Sequence, residues 1–329
     1  MIKLQKPFIA LWIILSLCLA GCSSYSQKTV AQKEQEGAAK DYKKINIDNY
    51  GENLVIKQKP QKVLTLGPNA TELFIALGLS HYVIGNSLNN HSRGALPEYK
   101  AQYEKIPELT HGSATREAVL TSGADFIYGI DWEFGEGGLD KKELAGNGIK
   151  VYQNSALTLE QMYKEINDLG KIFQVEDKAN AFVEDQKHRI AKVREKLKNT
   201  EPVNILVYDS GGEGVFTAGG TNFESLLIEQ AGGKNIFSNI KDKQWTTVSF
   251  EKVLEKEPDY IVIHDYDKPS VEKKIEEIKN NPALSQLDCV KQEKFVVITL
   301  ESVLPGDRMA YTVEKLAKDF IPIHLNKSG

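Results

Sequence analysis

Residues 158–197, TLEQMYKEINDLGKIFQVEDKANAFVEDQKHRIAKVREKL, divide the chain into two halves and decide how the rest is read. Thr158 can cap a first turn, and Gln161, three residues on, can close a capping box. Leu159, Met162, Ile166, Leu169 and Ile172 or Phe173 then recur at helical spacing. After Val175, a second segment sets Ala179, Phe182, Val183, Gln186, Ile190, Val193 and Leu197 on one stripe, with Lys, Arg and Glu opposite. Twenty-odd residues at about 1.5 Å each make a rod of roughly 30 Å, about the width of a small domain. Such a rod suits a strut across two lobes, or equally an ordinary amphipathic helix of one domain. The flanks decide between them.

In the first flank, Lys62-Val63-Leu64-Thr65-Leu66 reads as a buried strand ending at Gly67-Pro68, and Asn69 as the cap of a helix carrying Leu73, Phe74 and Leu77. Strands are expected at 81–85, 125–128 and 149–152. Helices are expected from about Thr115 and over 139–147. In the second flank, strands are expected at 203–208, 260–264 and 295–300. Helices there are expected at 222–230, 249–255, 275–280 and 310–320. Thr115-Arg116-Glu117-Ala118-Val119-Leu120 followed by Ala124-Asp125-Phe126-Ile127 aligns without a gap on Ser249-Phe250-Glu251-Lys252-Val253-Leu254 followed by Pro258-Asp259-Tyr260-Ile261. Both are a capped helix, a turn ending in Asp and an apolar strand. The fold class is therefore α/β: two Rossmann-like lobes with mainly parallel sheets, bridged by one long helix.

The organisation this implies is 1–21 a signal segment, 22–42 a tether, 43–157 one lobe, 158–199 the linking segment and 200–329 the other lobe. With 329 residues, two lobes agree with the chain length, and 41% hydrophobic with 26% charged residues is a globular composition. A net charge of −4 offers no bulk attraction to nucleic acid. Lys3 and Lys6, an apolar run over 8–19 and then Leu19-Ala20-Gly21-Cys22 mark a removable targeting segment. Its loss takes the net charge to roughly −6. Residues 23–42 are poor in groups to bury and read as a flexible tether. Only Cys18, Cys22 and Cys289 are present, so neither a disulfide framework nor a thiolate metal site is expected.

The end of the targeting segment resembles a bacterial lipobox, which implies that Cys22 is lipidated. The chain from about Gln61 to Phe320 resembles the solute-binding lipoproteins of ATP-driven importers for iron-siderophore complexes, haem and cobalamin. The marks are Pro68-Asn69-Ala70-Thr71-Glu72, the paired Glu-bearing repeats, Phe216-Thr217-Ala218-Gly219-Gly220, Ala231-Gly232-Gly233-Lys234-Asn235-Ile236-Phe237 and Pro305-Gly306-Asp307-Arg308. The resemblance implies a ligand in the cleft between the lobes, no resident cofactor and no directly bound metal. It also implies a monomer, anchored outside the cytoplasmic membrane, working with a permease dimer and its ATPase subunits. Glu117 and Glu251 are implied as the permease-docking residues.

Ligands of open parallel sheets sit beyond the carboxyl ends of the strands. Those loops offer Asn86, His91, Arg93, Tyr128, Trp132 and Phe134 from the first lobe, and Tyr208, Phe216, Trp245, Tyr266 and Arg308 from the second. Rings supply broad apolar faces for a bulky chelate, and arginines donate paired hydrogen bonds to its oxygens. Asp131, Glu133, Asp265, Asp267 and Glu301 on the rim disfavour an anionic catecholate complex, which points to a ferric siderophore of the hydroxamate type. Haem or cobalamin stays open, with His91, His111, Tyr128 and Tyr266 as axial candidates for haem. An enzyme would need a nucleophile and base, and no nucleophile elbow is present. A bare-metal protein would need converging ligands, whereas the six histidines are scattered at 81, 91, 111, 188, 264 and 324.

Overall fold

In the computed structural model, which describes residues 42–321, β1 (Ile45–Asn49) and β2 (Glu52–Ile56) form an antiparallel hairpin ahead of the first sheet. That sheet contains β3 (Val63–Leu66), β4 (Val83–Ser87), β5 (Phe126–Ile130) and β6 (Lys150–Asn154), in the order β4-β3-β5-β6 and parallel throughout. Both faces of its central strands are covered. Leu64, Leu66 and Ile127 pack towards Val119 and Leu144, while Phe126 and Tyr128 meet Phe74 and Phe173 on the other side. Contrary to the expectation from sequence, Asn69 does not cap the helix Pro68–Ala76: Gly67 holds that position without a side-chain cap, and Asn69 lies inside the first turn. The signal segment, nearly all of the tether and Cys22 lie outside the described residues.

The second half repeats the plan. β7 (Val203–Tyr208) leads into a short antiparallel ribbon, β8 (Ser210–Gly211), β9 (Val215–Ala218) and later β11 (Trp245–Val248). β10 (Gly233–Asn235), β12 (Tyr260–Asp265) and β13 (Phe295–Thr299) complete a parallel sheet ordered β10-β7-β12-β13. In each sheet the strand order along the edge is thus second, first, third, fourth. The short helices Arg116–Thr121 and Phe250–Leu254, each capped by the hydroxyl of Thr115 or Ser249, precede the third strand of their sheets. Two of the motifs quoted above turn out to be internal braces. The buried Asn235 amide donates to the Ala218 carbonyl and to Ser225 Oγ. A Cβ at Gly219 or Gly220 would collide with the carbonyls of Lys243 and Ser238.

The expected rod is two helices. Leu159–Phe173 ends where Gln174 adopts the left-handed conformation, and Glu176–Leu197 follows. The capping box of Thr158 and Gln161 is formed. The first helix belongs to the first lobe: its buried Glu165 accepts from Tyr50 and Tyr128, and Asp168 accepts from Tyr152. The second is the bridge, about 33 Å long at the usual rise. Its buried stripe, Ala179, Val183, Gln186, Ile190, Val193 and Leu197, packs on Leu159–Phe173 at one side and on Met309–Phe320 at the other. Gly170 lets the helices touch, since a Cβ there would stand 2.7 Å from that of Ala179.

A second connection runs beneath the cleft. Asn69 and Asn154 of the first half both donate to the Pro305 carbonyl, at 2.7 and 2.8 Å. Arg308, only 4% exposed, pairs with the equally buried Glu72 and donates to Thr299, Ser302 and the Gly94 carbonyl. The two motifs Pro68-Asn69-Ala70-Thr71-Glu72 and Pro305-Gly306-Asp307-Arg308 are therefore halves of one buried joint.

Candidate functional site

Beyond the carboxyl ends of β5, β7 and β12 lies a cavity of 330 Å³ with walls from both halves. His91, Ser113 and Trp132 come from the first half; Asp209, Phe216, Trp245, Tyr266 and Leu300 come from the second. His91 ends a single turn after β4, and Trp132 sits in a single turn after β5. Phe216 on β9 and Trp245 on β11 are diagonal neighbours on one ribbon face, where side chains repeat every second residue. Their rings stack at 5.7 Å. His91 lies between Trp132 and Tyr266, with ring centroids 6.3 and 6.1 Å away. Burial holds its pKa below the ordinary value against the charges of Asp209 and Glu133, so the imidazole is neutral at neutral pH.

Behind the second-lobe wall is a buried charge network. His264 Nδ1 bonds Asp209 Oδ1 at 2.9 Å, and its Nε2 meets both oxygens of Glu224 at 3.0 Å. Tyr266 donates its hydroxyl to Asp209 Oδ2 at 3.1 Å. Lys274 donates to the His264 carbonyl and stands 3.7 Å from the Tyr266 ring centroid. Burial drives the His264 pKa down, but Glu224 and Asp209 reverse this and hold it up at about 9. For Asp209 burial acts upward, and the His264 hydrogen bond and charge outweigh it, so its pKa lies below the usual carboxylate range.

A pH dependence follows from these directions. A histidine whose pKa rises on folding contributes stability in full below its unfolded value of 6.5 and loses it as pH passes about 9. Buried Glu165, held up at about 7 by desolvation, penalises the fold above that pH, and the penalty is relieved as pH falls through 7. Lys274, pushed down by burial to about 8, favours the fold increasingly above that. Melting temperature is therefore expected to fall between pH 7 and 8, and to flatten there in His264→Gln. A wild-type profile already flat in this window would show His264 to be neutral.

Of the residues singled out in the sequence, His91, Trp132, Phe216, Trp245 and Tyr266 line the cavity. The others are elsewhere. Asn86 is buried in β4, accepting from Asn89. Tyr128 and Phe134 are inside the first-lobe core, and Tyr208 is inside the second. The physical reason is that a parallel sheet covered on both faces sends successive side chains into core on either side. Arg93 is at the rim, its Nε 2.7 Å from Asp265 across the cleft. Arg308 is withdrawn into the interlobe joint because Glu72 offers it a carboxylate in a dry setting. Among the rim acids, Glu301 is buried on Ser92 and the Arg93 amide, and Glu133 accepts from the Ala114 amide. Ser113, Asp209 and Leu300 were not anticipated. Of these, Asp209 carried a usable signal, a carboxylate directly after an apolar strand. Glu117 and Glu251 are both exposed in the first turns of their matching helices. Among the described residues, no three His, Cys, Asp or Glu side chains cluster as a metal site. Cys289 is a buried free thiol.

The sequence profile described as "Periplasmic binding protein" matches residues 63–301. An uncharacterised ABC transporter substrate-binding lipoprotein, YvrC, of Bacillus subtilis (strain 168) is 23% identical over 327 residues, covering 97% of this chain and 98% of that one. A vitamin B12-binding protein of Photorhabdus laumondii is 27% identical over 205 residues, covering 62% of this chain and 70% of its own. The crystal structure of a periplasmic binding protein from Veillonella parvula superposes with a TM-score of 0.76 at 26% identity, covering 85% of this chain and 98% of that one.

Proposed function

This chain belongs to the periplasmic binding protein family, and on that premise we propose that it is the solute-capturing component of an ATP-driven importer. In this reading it works outside the cytoplasmic membrane, anchored through Cys22, and hands its cargo to a permease dimer served by ATPase subunits. It binds and releases rather than transforms. The cargo is a large metal-bearing organic molecule with a flat face, of the corrinoid kind. The observation that carries this is the gathering of Trp132, Phe216, Trp245 and Tyr266 from both halves around one cavity. Ring walls match a flat conjugated surface, and the cavity holds that face while the periphery projects from the mouth. The vitamin B12-binding relative supports the same choice.

A ferric hydroxamate is the second reading, favoured by the acids at the rim. It has lost the arginines expected to bind chelate oxygens, since Arg93 and Arg308 are engaged with Asp265 and Glu72.

The test is a titration of intrinsic tryptophan fluorescence with cobalamin, haem, ferric hydroxamate, ferric catecholate and ferric citrate. Trp132 and Trp245 both line the cavity. Saturable quenching is expected, tightest with cobalamin. Trp132→Ala should weaken it by about tenfold or more, as removal of a central aromatic anchor does. Tight quenching by the hydroxamate alone would replace the cargo, and silence across the panel would remove the reading.

A further inference from the structure

We propose that the cavity contains a subsite for an organic cation, with Asp209 as its anchor and Trp132, Phe216, Trp245 and Tyr266 as its walls. A positively charged group on any molecule that enters the cavity is therefore placed against Asp209. This deepens the importer reading and rests on it only for the statement that the cavity is the cargo site.

Charge is distributed one way around this space. Asp209 lines the cavity, and among the described residues no Lys or Arg does. Asp131 and Glu133, on either side of Trp132, accept from the Gln244 side chain and the Ala114 amide, which are uncharged donors. The cation on Asp209 is His264, but Glu224 shares it, so the three groups together keep one negative charge. The other nearby cations are engaged elsewhere. Arg93 is tied to Asp265 at the rim, and Lys274 is buried against Tyr266 with its ammonium on the His264 carbonyl. An anionic group brought into the cavity would meet a wall that stays negative on balance, since His264 is divided between Asp209 and Glu224, and like charges across an interface are costly. A cationic group would meet Asp209 and the electron-rich faces of several rings, the arrangement that holds alkylammonium ions.

Asp209 is also aimed. His264 occupies Oδ1 and Tyr266 reaches Oδ2, which leaves acceptor capacity on the carboxylate for a group in the cavity. His264 is clamped in turn by Glu224, both side chains being fully buried. Buried ion pairs of this kind are often replaceable by apolar groups at no loss of stability. Stability alone therefore does not account for this one, whereas orientation of the carboxylate does. His264 and Glu224 act as positioning residues for Asp209.

The experiment uses the purified chain and three small probes read by tryptophan quenching: phenyltrimethylammonium, its neutral isostere tert-butylbenzene, and benzenesulfonate. The cation is expected to bind at least about tenfold more tightly than the isostere, and the anion not at all. Asp209→Asn should bring the cation down to the level of the isostere while leaving the isostere unchanged. His264→Gln should lower the cation-to-isostere ratio in the same direction, a selectivity that a loss of folding would not produce. Trp132→Ala, at an exposed ring, should weaken the cation by about two- to fivefold. Equal binding of cation and isostere, no binding of the cation, or an undiminished preference in Asp209→Asn would each overturn the proposal. The cargo panel is independent of these probes. Cobalamin binding without a cation preference removes the subsite alone, and a cation preference without binding of any chelate removes the cargo assignment alone.

Discussion

Arg308→Ala is expected to lower the unfolding free energy by about 3–5 kcal/mol, because it leaves Glu72 charged and unpaired in a dry interior. For a unit of this size that corresponds to a fall in melting temperature of roughly 5 to 15 °C. Arg308 closes the joint that fastens residues 305–308 to the first half. Its guanidinium reaches Glu72, Thr299, Ser302 and the Gly94 carbonyl, and Asn69 and Asn154 hold Pro305 beside it. The double change Glu72→Met with Arg308→Met removes the unpaired Glu72 and should recover part of the loss, but only part, because the buried Glu301, 3.4 Å from Arg308, still loses its cation. Thermal melts of the two variants decide the matter. If Arg308→Ala melts like the wild type and instead loses binding to every member of the cargo panel, Arg308 serves the ligand, as the sequence reading had it. The joint and the bridging helix together restrict how far the lobes can part. Scattering curves are expected to show only slight compaction when cargo binds, and a large compaction would sink this account of the joint.

Changing Glu117 and Glu251 together to Arg is expected to abolish uptake by whole cells, by more than about tenfold, while cargo affinity and melting temperature stay within error. Surface substitutions away from packed features usually shift stability by no more than about 0.5 kcal/mol. Both carboxylates are exposed, each in the first turn of a short helix capped by Thr115 or Ser249, and each precedes the third strand of its sheet. Two negative charges repeated at matching places in two lobes suit a two-subunit partner that presents arginines twice, and reversing both makes every such contact repulsive. Single reversals should retain part of the uptake. A double variant that transports normally would refute the docking role, and one that no longer binds cargo would move these residues into the site.

Much of the architecture was open to reading from the residues. The alternation of strands and helices, the gapless repeat around Glu117 and Glu251, and the capping box at Thr158 are local patterns, carried by neighbours one to four residues apart. The doubled strand order agrees with the repeat. Local pattern fell short wherever a side chain had a choice of direction. Tyr128 and Trp132 both lie near the end of β5, yet Tyr128 bonds Glu165 inside the core while Trp132 is 40% exposed at the cavity. A strand buried on both faces has no polar alternation to reveal which way it points. The ribbon of β8, β9 and β11 leaves little trace in the sequence, because β8 is two residues long and β11 comes from a separate stretch of chain beyond β10.

Pairing of buried charges lay furthest from view. Arg308 finds Glu72 across 236 positions, and His264 finds Asp209 across 55 and Glu224 across 40. Composition and periodicity along the chain determined that there are two α/β lobes, that a helix spans between them and at which strand ends a cavity would open. Only the tertiary structure decided which rings face that cavity, that an arginine expected there closes a joint instead, and that an aspartate stands in its wall. The energy of a buried charge depends on a partner and a dielectric that only the folded chain assembles.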